Sequence, residues 1–371
     1  MIVPFLDLQS QYREIQAEVD SAIAEVIAES AFISGPWAQR FEEAFASWND
    51  SSYCVTCANG TDAIEIALEA LGIGFGDEVI VPSMTWISTA EAVSRVGARP
   101  VFIDVGEDAC IDPALIGSAI TERTRAVIAV HLYGKPAAVD QIRLFCDHNN
   151  LLLVEDCAQA HGAAIQGRRV GNWGHVGTFS FFPGKNLGAY GDAGCLVTSD
   201  AGLAEECRQI RNHGQVAKHD HRRIGRNSRL DGLQAAVLLT KLPHLDRWLS
   251  IRRNTAEIYR NKISGNILLP APSLDSEHAY HLFVVRLADR DLVAKFLLKR
   301  GISTAVHYPR GLPFLPFYRD SCDTSPESCF PKCLSLQSDI LSIPMGDHMN
   351  PERANYVASM LSLACDTLRH N

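Results

Sequence analysis

The stretch SFFPGKNLG, residues 180–188, contributes most to the assignment of fold and chemistry. Pro183 and Gly184 predict a turn that presents Lys185. A lysine between glycine and asparagine has no evident packing role, and burial lowers the pKa of such an amine and makes it nucleophilic. A nucleophilic amine forms a Schiff base with an aldehyde. Ser180, at the start of the stretch, adds a hydroxyl that can donate to a phosphate.

Short apolar strands alternate with helical patterns on both sides of this stretch. The predicted strands are 53–55, 78–81, 100–103, 126–130, 151–154, 176–181, 193–197, 281–287 and 302–307. The predicted helices are 11–28, a helix ending at 71, 86–96, 137–148, 201–212, 230–263, 290–299 and 351–365. This alternation predicts an α/β protein whose mostly parallel sheet is flanked by helices on both faces.

The length of 371 residues favours two packed domains. After about residue 263 the pattern changes to two predicted strands around one helix. We therefore predict a large domain over residues 1–240 and a smaller C-terminal α/β domain over residues 241–371.

Two further segments fall where predicted strands end, which is where open parallel sheets bind ligands. The first, NGTD at 59–62, is a turn that opens a helix. The free backbone N–H groups there make an anion site, and Thr61 adds a hydroxyl. An ordinary helix cap would have the same sequence.

The second segment is VEDCAQ at 154–159, which places Asp156 at the end of an apolar strand. Burying an acid there is costly unless it meets a cation or hydrogen-bond donors. A pyridinium nitrogen is such a cation, and an aspartate beside it keeps the ring protonated so that the ring can accept electrons. A capping acid for the next helix is the alternative interpretation.

Composition narrows the possible classes of function. The net charge of -9 argues against a nucleic-acid binder, although the basic stretch 208–229 suits an anionic small ligand. Such a charge run alone is more often a solvated loop. No apolar run is long enough for a membrane helix, residues 1–7 lack a signal-peptide pattern, and the 11 scattered cysteines indicate a reducing, cytoplasmic environment. No motif predicts a metal site.

In this order, NGTD (59–62), EDCAQ (155–159), SFFPGKNLG (180–188) and GRNSRLD (225–231) resemble the DegT-type (DegT/DnrJ/StrS) family of pyridoxal-phosphate sugar aminotransferases. The chain is most similar to the sugar-nucleotide 3-aminotransferases. The resemblance extends from FLDL (5–8) to HYP (307–309) and LSIP (341–344). It implies the type I, aspartate-aminotransferase-like fold.

The resemblance also implies roles for individual residues. Pyridoxal 5'-phosphate would be bound by Gly60, Thr61, Trp86, Asp156, Gln159, Ser180, Lys185 and Asn227. The substrate would be bound by Lys218, Arg229, His307 and Tyr308. Lys185 is then the Schiff-base lysine, Asp156 faces the pyridine nitrogen, and Gln159 lies beside the ring hydroxyl. Trp86 covers the ring face, unless it is simply a core tryptophan. Asn227 reaches the phosphate of a neighbouring subunit, which implies a homodimer with shared active sites.

The run NSRLDGLQAA, residues 227–236, looks more like enzymes that aminate C3 than C4. We therefore expect a 3-keto sugar nucleotide as substrate and L-glutamate as amino donor. The product would be an amino sugar for a surface polysaccharide, such as lipopolysaccharide O-antigen, or for a glycosylated metabolite. The alternatives are a 4-keto sugar or cyclitol aminotransferase and a non-catalytic regulator that binds the cofactor. Phe182 and Arg226 depart from the family pattern and leave the sugar open.

Overall fold

A computed structural model describes residues 1–271, 275–319 and 325–369 of the chain. Its helices are α1 (Leu8–Glu14), α2 (Gln16–Glu29), α3 (Gly35–Trp48), α4 (Gly60–Ala70), α5 (Ser88–Arg95), α6 (Pro113–Ile116), α7 (Val139–His148), α8 (Ala201–Arg211), α9 (Gly232–Lys241), α10 (Leu245–Lys262), α11 (Arg290–Leu298), α12 (Pro326–Cys329), α13 (Pro331–Asp339) and α14 (Pro351–Arg369). Among the described residues, none of these helices has both the length and the apolar character needed to cross a bilayer.

The strands are β1 (Tyr53–Cys57), β2 (Glu78–Pro82), β3 (Arg99–Ile103), β4 (Thr124–Val130), β5 (Leu152–Asp156), β6 (Ala164–Ile165), β7 (Arg168–Arg169), β8 (Val176–Ser180), β9 (Gly194–Thr198), β10 (Gln215–Ala217), β11 (Asp220–His221), β12 (Ser276–Glu277), β13 (Phe283–Arg286) and β14 (Ile340–Ile343). Seven of them form the central sheet, in the order β1-β9-β8-β5-β4-β2-β3. Within this sheet β9 runs antiparallel to both of its neighbours, and the other pairs are parallel. The predicted mostly parallel sheet is confirmed.

Strand β2 shows why the chain forms this kind of sheet. Its residues Val79, Ile80 and Val81 are all fully buried, although successive side chains point to opposite faces. Both faces of the sheet are therefore covered, as a continuous apolar run predicts. Because both faces of the sheet are covered, a ligand can reach it at the carboxyl ends of the strands.

Strand β5 ends in two adjacent acids, Glu155 and Asp156, whose side chains point to opposite faces. Glu155 is fully buried and accepts hydrogen bonds from the backbone N–H groups of Gly171 at 2.8 Å, Trp173 at 2.7 Å and Gly174 at 2.6 Å. This carboxylate therefore fixes the loop that leads into β8. Asp156 is left on the other face, at the open edge.

The C-terminal part of the chain has its own apolar core. Strands β13 and β14 pair antiparallel, and their side chains pack with helices α10, α11 and α14. Val3, near the amino terminus, is buried in the same cluster. The proposed division of the chain at residues 240 and 241 stays a prediction.

Three predicted elements differ from the structure. The predicted helix 11–28 is two helices that meet at Ile15, and the pattern over 230–263 is divided by a 3₁₀ turn at Leu242–His244. The predicted strand 302–307 is wrong, because the segment makes only single bridges, Val3 with Ile302 and Ala305 with Ser342. An apolar run without continuous backbone partners on either side does not become a strand.

Replacing Glu155 with glutamine tests the role of this buried carboxylate. The glutamine N–H₂ group would face backbone N–H donors that need an acceptor, so we expect a loss of roughly 2–4 kcal/mol and a thermal midpoint several degrees lower. Differential scanning calorimetry measures this. The control is Glu122→Gln, at an exposed position. Equal midpoints for the two variants would contradict the assigned role.

Candidate active site

A cavity of about 600 Å³ opens at the carboxyl ends of β1, β4, β5 and β8. Eight of the residues singled out from the sequence line it: Gly60, Thr61, Trp86, Asp156, Gln159, Ser180, Lys185 and Tyr308. They come from segments far apart in the chain. The parallel sheet brings them together because the carboxyl ends of its strands share one edge.

Lys185 lies in a tight turn after β8. The Lys185 N–H donates to the carbonyl of Phe182 at 2.8 Å, and a side chain on Gly188 would place its Cβ 2.3 Å from the Pro183 oxygen. Burial lowers the pKa of Lys185 to about 8, while the nearby Asp156 carboxylate acts in the opposite direction. The Nζ atom makes no hydrogen bond or ion pair with any described residue. A neutral, unpaired amine near pH 8 is equipped to attack a carbonyl.

Asp156 lies at the floor of the cavity. It is buried, and its carboxylate accepts hydrogen bonds from the Thr89 hydroxyl at 2.9 Å and from the Ala158 N–H at 3.1 Å. Two neutral donors orient the group, while no described cation pairs with it. A buried carboxylate in this state suits a positively charged ring nitrogen.

The turn at 59–61 forms the third part of the site. Asn59 caps α4 by accepting from the Asp62 N–H at 2.8 Å. A Cβ on Gly60 would lie 2.6 Å from the Ser180 Cβ, so only glycine allows the helix N-terminus to approach Ser180 this closely. Thr61 adds its hydroxyl, 2.7 Å from that of Ser88. The cap and the anion site predicted for this segment are thus compatible.

Ser228 supports this turn, and the sequence reasoning missed it. Its buried hydroxyl donates to the Asp62 carboxylate at 2.5 Å and accepts from the Ala58 N–H at 3.1 Å. It therefore connects the segment around residue 228 to both ends of the anion loop. Its only sequence signal is its place in the NSRLD run, beside Asn227.

Gln159, Trp86 and Tyr308 form the aromatic side of the cavity. Gln159 accepts from the Tyr133 N–H at 2.7 Å through Oε1, and it donates to the Tyr308 hydroxyl at 2.9 Å through Nε2. Burial raises the pKa of Tyr308, which keeps the hydroxyl neutral. The rings of Trp86 and Tyr308 lie 5.5 Å apart, and Trp86 is 56% exposed, so it is not a core side chain.

The other four predicted residues do not line this cavity. Lys218 is exposed beside the turn between β10 and β11, Arg229 is partly buried, and Asn227 is exposed on a separate depression. His307 adjoins Tyr308 and bonds through Nδ1 to a serine hydroxyl at 2.8 Å. Burial lowers the pKa of His307 to about 4, so its ring is neutral near pH 7.

Arg226 has a structural explanation. Its guanidinium forms ion pairs with Glu65 and Glu69 of α4, which raise the pKa of Arg226 even though burial opposes them. The pairs fix the segment that carries Asn227 against the helix that begins at the anion loop. Arg226 departs from the family pattern, and in this chain the residue takes part in a local ion-pair network.

His131, Glu155 and Cys157 are close enough together to hold a metal ion. However, His131 accepts from the Ala137 N–H through Nδ1, so its Nε2 carries the proton that Glu155 accepts at 3.0 Å. Burial also raises the pKa of the Cys157 thiol well above its usual value. Among the described residues, this cluster is therefore a satisfied hydrogen-bond network.

The chemistry of the cavity fits pyridoxal 5'-phosphate. The Lys185 amine is unpaired and partly desolvated, and the Asp156 carboxylate has no cation. Gly60 brings the N-terminus of α4 close to the Ser180 hydroxyl. An aldehyde, a pyridinium nitrogen and a phosphate are the groups that match these three features.

Comparison with known proteins gives the family context. The sequence profile of the DegT/DnrJ/EryC1/StrS aminotransferase family matches residues 13–362. The chain is 45% identical over 355 residues to the dTDP-3-amino-3,4,6-trideoxy-alpha-D-glucose transaminase of Streptomyces venezuelae, covering 95% of this chain and 93% of that protein.

Two solved structures confirm the predicted fold. S. venezuelae DesV in complex with a ketimine intermediate has a TM-score of 0.95 and 44% identity, covering 98% of this chain and 99% of that chain. NtdA from Bacillus subtilis with bound cofactor PMP has a TM-score of 0.91 and 30% identity, covering 98% of this chain and 85% of that chain.

The lowered pKa of Lys185 predicts how its reactivity depends on pH. Only the neutral amine reacts with trinitrobenzenesulfonate, so labelling of Lys185 in cofactor-free protein should be half-maximal near pH 8. The usual pKa of a lysine side chain is 10.5. Peptide mapping by mass spectrometry measures the labelling, and Nα-acetyl-lysine in the same solution is the control. A midpoint for Lys185 close to that of the free amino acid would contradict the assignment.

Proposed function

Because this chain belongs to the DegT/DnrJ/EryC1/StrS aminotransferase family, and is a pyridoxal-phosphate-dependent aminotransferase, we propose that it transfers an amino group from L-glutamate to a 3-keto sugar nucleotide. The observation that carries the proposal is the cavity that joins the Lys185 amine, the Asp156 carboxylate and the Gly60 anion loop. When bound, the cofactor supplies an electron sink that stabilises negative charge on the reacting carbon.

We assign the proton transfers to Lys185. Its amine takes the proton from the carbon that loses the amino group and returns a proton to the carbon that gains it. An amine with a pKa near 8 suits both directions, because near neutral pH it accepts and releases protons with little driving force against either step.

The remaining residues bind and orient. Asp156 would hold a protonated ring nitrogen, and the Thr89 hydroxyl and the Ala158 N–H keep its carboxylate in place. The Gly60 loop and Ser180 hold the phosphate. The Tyr133 N–H fixes the amide of Gln159, whose Nε2 atom donates to the Tyr308 hydroxyl. Gln159 would lie beside the ring hydroxyl of the bound cofactor.

Two features support a sugar nucleotide as the substrate. The name of the S. venezuelae relative contains a dTDP-linked 3-amino sugar, that is, a sugar nucleotide with the amino group at C3. Most arginines between 208 and 229 are ion-paired with acidic side chains, but among the described residues Lys218 and Arg229 have no acidic partner and can meet a diphosphate. Lys218, Arg229, His307 and Tyr308 are proposed to bind the substrate. Phe182, where a tyrosine is common in C3 enzymes, is exposed in the cavity and offers no hydroxyl to the sugar. We place the reaction in cytoplasmic amino-sugar synthesis for a surface polysaccharide or a glycosylated metabolite.

We further propose a homodimer whose two active sites are shared. Asn227 is exposed and lies outside the cavity of its own chain. Beside its segment, Phe32 and Ile33 expose apolar surface, and Ser34 N–H donates to the Leu230 carbonyl at 3.0 Å. Exposed apolar residues are typical of a subunit interface, and here they lie next to Asn227, which lies outside the cavity of its own chain.

Mixing two inactive variants tests the shared site. Lys185→Ala removes the reacting amine and should lower kcat by about 10³-fold or more. Asn227→Asp sets a carboxylate against the phosphate of the partner site. After subunit exchange, a hybrid dimer would hold one site with both native residues, so the mixture should reach roughly a quarter of the wild-type rate. A mixture no faster than the sum of its parents would contradict a shared site.

Assays with 3-keto and 4-keto sugar nucleotides, each with L-glutamate, test the substrate. We expect kcat/KM to favour the 3-keto compound by about 10²-fold or more, because the amine must reach one particular carbon. Initial rates of product formation at varied concentrations of each substrate, followed by mass spectrometry, measure kcat/KM. Exclusive use of the 4-keto compound would overturn the C3 assignment. Turnover of a cyclitol ketone but of no sugar nucleotide would instead favour a cyclitol aminotransferase.

A further inference from the structure

Helix α9 presents two polar side chains to the segment that follows Lys185. Gln234 and Lys241 lie seven positions apart, which is about two helical turns, so both are on one face. Gln234 accepts from the Tyr190 N–H at 2.8 Å through Oε1. Lys241 donates to the Gly188 carbonyl at 2.7 Å through Nζ. Neither residue lines the proposed catalytic cavity.

Lys241 is an unusual residue for this place. Its side chain is fully buried, and burial lowers the pKa of Lys241 to about 8. Within the described chain it forms no ion pair, and its partners are the Gly188 carbonyl and the ring of Tyr190, 4.2 Å from Nζ. Burying an amine costs free energy that an apolar residue would not cost. The hydrogen bond from Lys241 to the Gly188 carbonyl therefore explains this lysine better than packing does.

We propose that Gln234 and Lys241 act together as positioning residues for Lys185, by holding the backbone of residues 188–190 against α9. We call these two side chains the α9 clamp. The inference rests on the proposed role of Lys185 as the reacting amine. Gln234 belongs to the run 227–236 that was used to predict the substrate, but neither Gln234 nor Lys241 was assigned a role of its own from the sequence.

Contacts within the turn connect the backbone of residues 188–190, which the α9 clamp holds, to the backbone of Lys185. Gly188 packs so closely on Pro183 that no side chain fits between them. The Ala189 N–H donates to the Phe181 carbonyl at 2.8 Å, and the Lys185 N–H donates to Phe182. Both ends of the turn are thus connected, and a shift of residues 188–190 must move the backbone at Lys185.

Gln234→Ala and Lys241→Met are the two test variants, and each removes one hydrogen bond to the turn. We expect each to lower kcat about tenfold with KM for glutamate changed less than twofold, because misplacement of the amine slows proton transfer and leaves donor binding intact. The double variant should be less than additive if the two residues act as one unit.

A second measurement needs no cofactor and no activity. In cofactor-free protein, loosening of the turn lets water reach Lys185, so its labelling midpoint should rise by about one pH unit toward the ordinary value. Gln234→Ala is the more informative variant here, because it changes no charge. The turnover of Lys185→Ala, measured separately, tests the assumption about Lys185 itself.

Leu361→Ala, in the C-terminal core, is the control for lost stability. It should lower the thermal midpoint without changing kcat or the labelling of Lys185. The α9 clamp is overturned if both test variants keep the wild-type kcat and the wild-type labelling midpoint. The proposal is also overturned if Leu361→Ala changes kcat and the labelling midpoint of Lys185 as much as the two test variants do.

Discussion

The structure depends on keeping one amine and one carboxylate apart in the same cavity. Burial lowers the pKa of Lys185 and the Asp156 charge raises it, and burial has the larger effect. If the two groups formed a direct ion pair, the attraction would keep the lysine protonated and unable to attack. In the described structure the two groups do not form this pair, and Asp156 accepts from the Thr89 hydroxyl and the Ala158 N–H instead. The site is therefore prepared for a ring that fits between them.

The end of β5 shows how one strand serves structure and chemistry together. Because neighbouring side chains alternate, Glu155 and Asp156 enter different surroundings. Glu155 meets three backbone N–H groups and becomes part of the framework. Asp156 accepts two hydrogen bonds and lines the cavity, where its carboxylate can face a cation. The rigid loop held by the first acid leads into β8, which carries the turn of Lys185.

Strand ends and glycine turns are local signals, and they predicted the sheet and the segments that carry Gly60, Thr61, Asp156, Ser180 and Lys185. The places of Trp86, Gln159 and Tyr308 in the cavity were predicted only from the resemblance to the family. The sequence did not predict Ser228 or Lys241, because their roles depend on contacts with backbone groups far away in the chain. The strand predicted at 302–307 failed for a related reason. Apolar periodicity gives a burial pattern, whereas a strand also needs a neighbour at the right distance for its backbone groups.

Helix α9 links the two halves of the proposed dimer site. It begins directly after Asp231, at the end of the segment that carries Asn227, and ends at Lys241, which holds the Lys185 turn. In the proposed dimer, the segment that leads into α9 presents Asn227 to the partner, and the far end of the same helix positions the reacting amine of its own chain. A rigid helix is suited to this, because a change at one end moves the other. The geometry of each site would then depend on both chains.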